Sequence, residues 1–419
     1  MNNSPENTPY TLPAVGIEKM AAYPGTLFLD LYKLAAARNH EVSDLRDNLL
    51  VRRRTVNPMW EDPVTMAVNA GMRLLNEEDR ARIQLVITST ESGVDQGKAL
   101  ATFAHRYLGL QPNCRCYEAK QACYSGTASI MMASHWLRSQ RDPEAKALVI
   151  TTDQSRMNIG EPYEFVTGGG SVAMVLSRKP DVLEIELDKN GYWAHETWDT
   201  FRPTLTVETG NGEESLFCYL DALEGAFADY RSKVGEQDWD SYFQKNLFHV
   251  PLGGITFMAF RALLRNWRKV KKKEARELFA RRSQAGLTYC REVGATYSGS
   301  AYMALLGMLD NSPDLGAGDR IGIFSYGSGS VGEYYSGLVG PRAQEVVGMA
   351  DMKGILAARK EISVAQYEAL ERQRHDLVEV GDFVPDITAL GTAYDEQYRD
   401  KHLLVLKKIE GHIRHYDWS

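Results

Sequence analysis

Apolar positions along the chain fall into two periods. Short apolar, largely β-branched runs occur at A-V-G-I-E-K-M-A-A-Y-P (14–24), L-V-I-T-S-T (85–90), A-L-V-I-T-T-D (147–153), G-G-G-S-V-A-M-V-L-S (168–177) and I-G-I-F-S-Y-G-S-G-S (321–330), and these read as buried strands. Between them the spacing is near 3.6 over residues 25–39, 62–76 and 127–138, and a further helix opens at 217–227. From about residue 345 the chain is charged with a helical pattern, and Ser363 with Gln366 forms a capping box ahead of V-A-Q-Y-E-A-L-E-R-Q-R. Strands alternating with helices predict an α/β protein.

Composition narrows the class. At 419 residues and 44% hydrophobic, the chain can bury a large core, and its net charge of −7 argues against general nucleic-acid binding. No apolar run is long enough to span a bilayer, and the polar, proline-bearing start, read as a disordered tail over residues 1–12, shows neither a signal core nor an arginine-rich amphipathic pattern. Five cysteines without a C-x-x-C pair suggest no disulfide framework and no cysteine zinc site, which fits a reducing cytoplasm; no histidine pair has metal-ligand spacing, and no metal is assigned. The triple glycine at 168–170 lacks the order and following helix of a dinucleotide site.

Two positions carry candidate chemistry. In C-R-C-Y-E-A-K-Q-A-C-Y-S-G-T (114–127), Cys123 sits among small residues at a predicted helix start, where the helix dipole and first-turn N–H groups would lower its pKa and favour a nucleophilic thiolate. The strand at 85–90 ends on Glu91, and desolvation there would raise the carboxylate pKa toward that of a working base.

The ordered set of motifs resembles the 3-hydroxy-3-methylglutaryl-CoA synthase family, a branch of the thiolase superfamily. The matches are A-C-Y-S-G-T-A around Cys123, V-G-I-E-K (15–19), L-D-L-Y-K-L-A-A-A-R-N (29–39), E-D-P-V-T-M-A (61–67), T-E-S-G-V-D (90–95), W-D-T-F-R-P (198–203), F-H-V-P (248–251) and F-S-Y-G-S-G (324–329). The resemblance implies a thiolase-like five-layered α/β/α/β/α fold of two related halves, here 13–180 with the nucleophile and 181–419 with a catalytic histidine and C-terminal helices. It also implies an acyltransferase, dimeric, in which Cys123 takes an acetyl group, Glu91 removes a methyl proton, and His249 holds the ketone oxygen that the carbanion attacks. Asp95, Asp153, Asp199, Ser325 and Tyr326 fall on supporting positions of the family's active site.

Three departures bear on which relative this is. Where the family has an asparagine in V-G-N-x-Y the chain has Ala295, and where CoA-using members carry the lysine of H-S-P-Y-x-K it has Gly254. Residues 261–282 hold ten Lys or Arg against two Glu, a run that reads either as a solvated helix face or as a docking surface for an acidic partner through Arg265, Arg268, Lys269, Lys271, Lys272 and Lys273. The branch favoured is that of polyketide β-branching, in which donor and acceptor acyl groups arrive on the phosphopantetheine of acyl carrier proteins and no cofactor is bound. The alternatives are a mevalonate-pathway synthase using acetyl-CoA and acetoacetyl-CoA, and a non-catalytic carrier-binding subunit of the same fold.

Overall fold

The computed structural model describes residues 12–155, 159–205, 207–377 and 379–419; residues 1–11 of the predicted tail lie outside them. A ten-stranded mixed sheet organises the molecule, in the order Lys245–Phe248, Arg320–Gly327, Val331–Val339, Leu183–Ile185, Gly16–Tyr23, Gly169–Ser177, Lys146–Gln154, Ile83–Ser89 and Arg115–Ala119, with Gly191–Ala194 added to the flank of Val331–Val339.

This order repeats itself about the junction of Gly16–Tyr23 with Leu183–Ile185, where only Gly16 and Ile17 pair with Glu184 and Leu183. Moving outward on either side, one meets the far arm of an antiparallel hairpin, its near arm, and then a strand parallel to that arm. These are Gly169–Ser177, Lys146–Gln154 and Ile83–Ser89 on one side, and Val331–Val339, Arg320–Gly327 and Lys245–Phe248 on the other. Glu91 follows Ile83–Ser89 and His249 follows Lys245–Phe248, so the two occupy corresponding strand ends.

The two central helices also correspond. Ser125–Ser139 and Ser300–Asp310 are each preceded by a 3₁₀ turn, Ala122–Tyr124 and Tyr297–Gly299, whose first residue has positive φ (44° at Ala122, 47° at Tyr297). Both helices are buried in one apolar cluster with the inner faces of the sheet, including Ile130, Met131, Leu305 and Met308. Met131 and the other apolar groups exchange water for close-packed neighbours, and this burial is the main stabilising term of the fold. Pro63–Met72 and Leu100–Tyr107 cover the opposite face in a second cluster.

Local sequence explains most element ends. Asp62 caps Pro63–Met72 through a capping box with Thr65, with proline at the first helical position, and Ser363 with Gln366 caps Val364–Asp376 as expected. Two expectations change. The segment read as one helix over 25–39 begins as the strand Leu27–Asp30, which pairs with Arg53–Thr55 and Lys360–Ile362 before the helix Leu31–Ala37. The C-terminal region is not uniformly helical, since it closes with the hairpin Leu404–Glu410 and Ile413–Trp418. Among the described residues no helix is long and apolar enough to cross a membrane.

Candidate active site

Cys123 sits in the 3₁₀ turn just ahead of the central helix Ser125–Ser139, and that turn is pressed into place by two glycines. A Cβ on Gly126 would collide with the Ser298 carbonyl oxygen, and one on Gly327 would lie 2.6 Å from both the Gln121 carbonyl oxygen and the Tyr124 nitrogen. Only glycine permits these approaches. Tyr124 anchors the turn further by donating from its hydroxyl to Glu333 Oε2 at 2.5 Å, and Glu333 also accepts from the Asn190 amide.

The half-buried Cys123 thiol donates to Glu91 Oε1 at 3.2 Å. Burial pushes the Glu91 carboxyl up to about 7; the Arg202 guanidinium opposes that shift, while the Asp153 and Glu208 charges add to it. The thiol moves opposite to the direction expected from a helix start: burial and the Glu91 charge hold its pKa well above the ordinary cysteine value. A carboxylate in contact outweighs the fractional charge of a helix end. The resting pair is therefore a protonated thiol beside its proton acceptor.

Asp153 is fully buried and works as a joint. Its Oδ1 accepts from Thr90 Oγ1 at 2.9 Å, the Glu91 N–H at 2.9 Å and Ser92 Oγ at 2.8 Å, and its Oδ2 accepts from the Ser298 N–H at 3.1 Å and hydroxyl at 2.5 Å. The acid thus fixes the main chain under Glu91 to the turn that corresponds, in the second half, to the cysteine turn.

His249 is 2% exposed, and burial depresses its pKa to about 3, so the imidazole is neutral. The main-chain N–H of His249 donates to the Phe324 carbonyl at 2.7 Å and its main-chain carbonyl accepts from the Tyr219 hydroxyl at 2.8 Å, while the ring Nδ1 has no partner among the described residues. The Tyr219 ring lies 5.2 Å from that of Tyr326, whose hydroxyl donates to Asp199 Oδ2 at 2.7 Å. Asp199 Oδ1 accepts from the Gly329 N–H at 2.8 Å, and the Gln121 amide donates to the Ser328 carbonyl at 3.3 Å. A chain of contacts therefore runs from His249 through Tyr326 and the glycine turn to the residues flanking Cys123. Ser325 is buried on the same strand, opposite Glu333.

Comparison with known proteins gives the same family over almost the whole chain. Residues 261–402 match the hydroxymethylglutaryl-coenzyme A synthase C-terminal family model. The polyketide biosynthesis 3-hydroxy-3-methylglutaryl-ACP synthase PksG of Bacillus subtilis is 36% identical over 97% of this chain and 99% of its own. The hydroxymethylglutaryl-CoA synthase of Enterococcus faecalis is 32% identical over 85% of this chain and 91% of its own. The crystal structure of the curacin biosynthetic pathway HMG synthase in complex with acetyl donor-ACP superposes with a TM-score of 0.91 at 37% identity, covering 97% of this chain and 100% of that one.

The chain belongs to the hydroxymethylglutaryl-CoA synthase family.

Within that family its departures acquire physical meaning. A Cβ on Gly254 would collide with the Asn48 carbonyl oxygen, and one on Gly253 would come within 2.7 Å of Leu50 Cβ. The turn Leu45–Leu49 therefore occupies the space a side chain at 254 would need. Ala295 donates its N–H to the Val166 carbonyl at 2.8 Å and lines a small cavity with Leu50, Val51, Val250, Leu252, Leu287 and Arg291.

The basic run divides into the end of Gly253–Leu264, a turn, and Lys272–Arg282. Arg268 is not a free docking cation, because its guanidinium bonds Asp240 Oδ2 at 3.1 Å and Glu274 Oε1 at 3.0 Å. Arg265 lies 3.9 Å from Glu224. Lys269, Lys271, Lys272 and Lys273 are exposed. Asp95 is not brought to the thiol network: it is exposed, and its Oδ1 accepts from the Gly97 and Lys98 N–H groups at 2.8 and 2.7 Å, closing its own turn. The sequence reading assigned no role to Arg202, Glu208, Ser298, Tyr124 or Glu333. Arg202 lies within the quoted W-D-T-F-R-P motif, which could have drawn attention to it; nothing local marks Glu208 or Ser298.

Proposed function

We propose that this chain is the hydroxymethylglutaryl synthase of a polyketide β-branching system, condensing a carrier-bound acetyl group with the β-ketone of a second carrier-bound acyl chain. The observation that carries the reading is the Cys123–Glu91 hydrogen bond within a chain that matches PksG end to end. In the first step the thiol proton moves to Glu91 as sulfur attacks the donor thioester, and Glu91 returns it to the departing pantetheine thiolate. The Cys123 pKa is too high for a standing thiolate, so attack and proton transfer are coupled. In the second step the Glu91 carboxylate removes a proton from the acetyl methyl group, and the resulting carbanion forms the new C–C bond at the acceptor ketone.

His249, neutral in the free protein, offers an N–H to the oxygen that becomes an alkoxide, a hydrogen bond that strengthens as charge develops. Glu91 delivers its proton to that oxygen and then assists water in releasing the product from Cys123. Asp153 and Asp199 touch no reacting atom in this scheme. They hold the main chain on which Glu91 and Tyr326 stand. On this reading residues 13–180 supply nucleophile and base, residues 181–419 supply the histidine, and the protein works as a cytoplasmic homodimer without metal or bound cofactor. The substrate arms are phosphopantetheines. The closed corner at Gly254 and Asn48 leaves no room for the cation that pairs with CoA in the mevalonate branch.

Mass spectrometry of the acceptor tests this reading. Acetyl-loaded donor carrier with β-ketoacyl-loaded acceptor carrier is expected to yield a carrier-bound 3-hydroxy-3-methylglutaryl-type product. Product from acetyl-CoA and acetoacetyl-CoA alone would instead assign the chain to the mevalonate branch, and product from neither pair would leave a carrier-binding subunit.

A further inference from the structure

In the free protein, among the described residues, two polar side chains approach the Glu91 carboxylate on opposite oxygens. Cys123 Sγ donates to Oε1 at 3.2 Å, and Arg202 Nε faces Oε2 at 3.4 Å. Acylation of Cys123 replaces the S–H bond with an S–C bond, and a thioester sulfur has no proton to donate. One of the two contacts is therefore lost at the point where Glu91 has to act as a base toward carbon. Apart from Arg202 the charged surroundings oppose ionisation, because Asp153 is a buried acid and the Glu208 side chain is only 6% exposed.

We propose that Arg202 is the positioning residue that keeps Glu91 ionised and aimed during condensation, after acylation has removed its hydrogen bond from Cys123. The inference rests on the reading of Glu91 as the base.

Arg202 is built to stay where it is. Its Nη2 pairs with Glu208 Oε2 at 3.0 Å, its Nη1 donates to the Glu91 main-chain carbonyl at 3.4 Å, and its guanidinium lies 4.6 Å from the centre of the Tyr297 ring. The Tyr297 hydroxyl in turn reaches Glu208 at 3.4 Å, and Tyr297 is buried in the 3₁₀ turn whose next residue, Ser298, binds Asp153. Guanidinium and carboxylate, at the ends of the paired strands Thr200–Phe201 and Thr209–Gly210, and the phenol from the 3₁₀ turn thus brace one another and hold Nε 3.4 Å from Glu91 Oε2. The charged and titratable groups around Glu91 are Cys123, Asp153, Glu208, Tyr297 and Arg202, and Arg202 is the only cation among those described. A guanidinium keeps its charge across the working pH range, so it stabilises the carboxylate without exchanging a proton.

The proton balance leaves Arg202 unchanged. Glu91 accepts one proton from the acetyl methyl group, the C–H electron pair becomes the C–C bond, and the ketone π pair moves to oxygen. The proton on Glu91 then completes the hydroxyl.

The test is a single-turnover condensation on protein already acetylated at Cys123, followed between about pH 6 and 11, a range that covers a base titrating near neutrality and its upward shift. Loss of an opposite charge at this range moves a carboxyl by about one to three pH units. Arg202→Gln should shift the midpoint of the rising limb upward by that amount, with the lost rate recovered at high pH. Arg202→Lys keeps a charge without the planar fork and should give a smaller upward shift. A rate lowered equally at every pH, with an unmoved midpoint, would overturn the proposal and leave Arg202 a packing residue. Should Arg202→Gln not fold, judged by failure to take up acetyl, Arg202→Lys decides alone on the same criterion. Glu91→Gln run in parallel separates the two claims: condensation by that variant would refute the base assignment itself, whereas an inactive Glu91→Gln with an unshifted Arg202→Gln profile would refute only the role of Arg202.

Discussion

The Cys123 thiol and the Glu91 carboxylate meet at 3.2 Å, and each alters the other's proton affinity. The carboxylate charge raises the thiol pKa, and the thiol hydrogen bond lowers that of the carboxyl. Glu91→Gln removes the acceptor of the thiol proton but also the charge that opposes thiolate formation, so the variant should still take up acetyl on cysteine, more slowly and with water as the proton acceptor. It should lose condensation by roughly 10²–10⁴-fold, the usual worth of a positioned base. Separate single-turnover assays of the two steps check this, and normal condensation by Glu91→Gln would exclude it as the base. In the unaltered protein Glu91 must be ionised to remove the methyl proton. Because burial has raised its pKa to about 7 in the free protein, and acylation removes the thiol hydrogen bond that lowers it, the condensation rate should climb with pH through a midpoint at or above that value and fall below it.

Placing a lysine at Gly254 should not confer use of CoA. The Asn48 carbonyl stands where its Cβ would be, so Gly254→Lys has to displace the turn Leu45–Leu49. A forced backbone shift of this kind costs roughly 1–3 kcal/mol. Denaturation should show a loss of stability of that order, with acetyl-CoA turnover no better than before; improved turnover at unchanged stability would mean the corner is open.

Asp199 holds two donors, the buried Tyr326 hydroxyl and the half-buried Gly329 N–H. Asp199→Ala would leave both without their acceptor, at about 1–3 kcal/mol for each group that finds no water. The stability loss should be larger than that of Tyr326→Phe, which removes a donor but leaves Asp199 bonded to Gly329. Equal losses in denaturant titrations would show that the Gly329 contact contributes nothing.

Most strands are legible in the sequence, because β-branched runs report on burial locally, whereas the joint use of Cys123 and a strand-end acid is implied only by the family resemblance of their motifs. Other features depend on partners far along the chain. Leu27–Asp30 reads as the start of a helix until Lys360–Ile362 is seen beside it. The thiol pKa was read with the wrong sign, since a helix start is visible in sequence but a buried carboxylate against the sulfur is not. Arg202 and Glu208 act on Glu91 through a hairpin whose position no periodicity reveals. Asp95 shares a motif with Glu91, yet a four-residue separation along an exposed turn is enough to direct it to its own backbone.

Reversing Lys269, Lys271, Lys272 and Lys273 to Glu should slow acetyl transfer from a carrier protein far more than transfer from acetyl-CoA. These side chains are exposed on one turn and helix start, where they act on an acidic partner through field and register rather than on the chemistry at Cys123. Raising salt until the Debye length falls well below about 8 Å should shrink the preference of the unaltered protein in the same way. Equal slowing with both donors would make the run a solvated face.

The central claim, that Cys123 carries the acetyl group between a donor carrier and the acceptor ketone, is tested most directly by intact-protein and peptide mass spectrometry after mixing with acetyl-loaded carrier protein alone. One acetyl group per chain on Cys123, absent from Cys123→Ser and discharged when β-ketoacyl carrier is added, is the predicted result. Acetyl on Cys114 or Cys116, or equal labelling of Cys123→Ser, would contradict it.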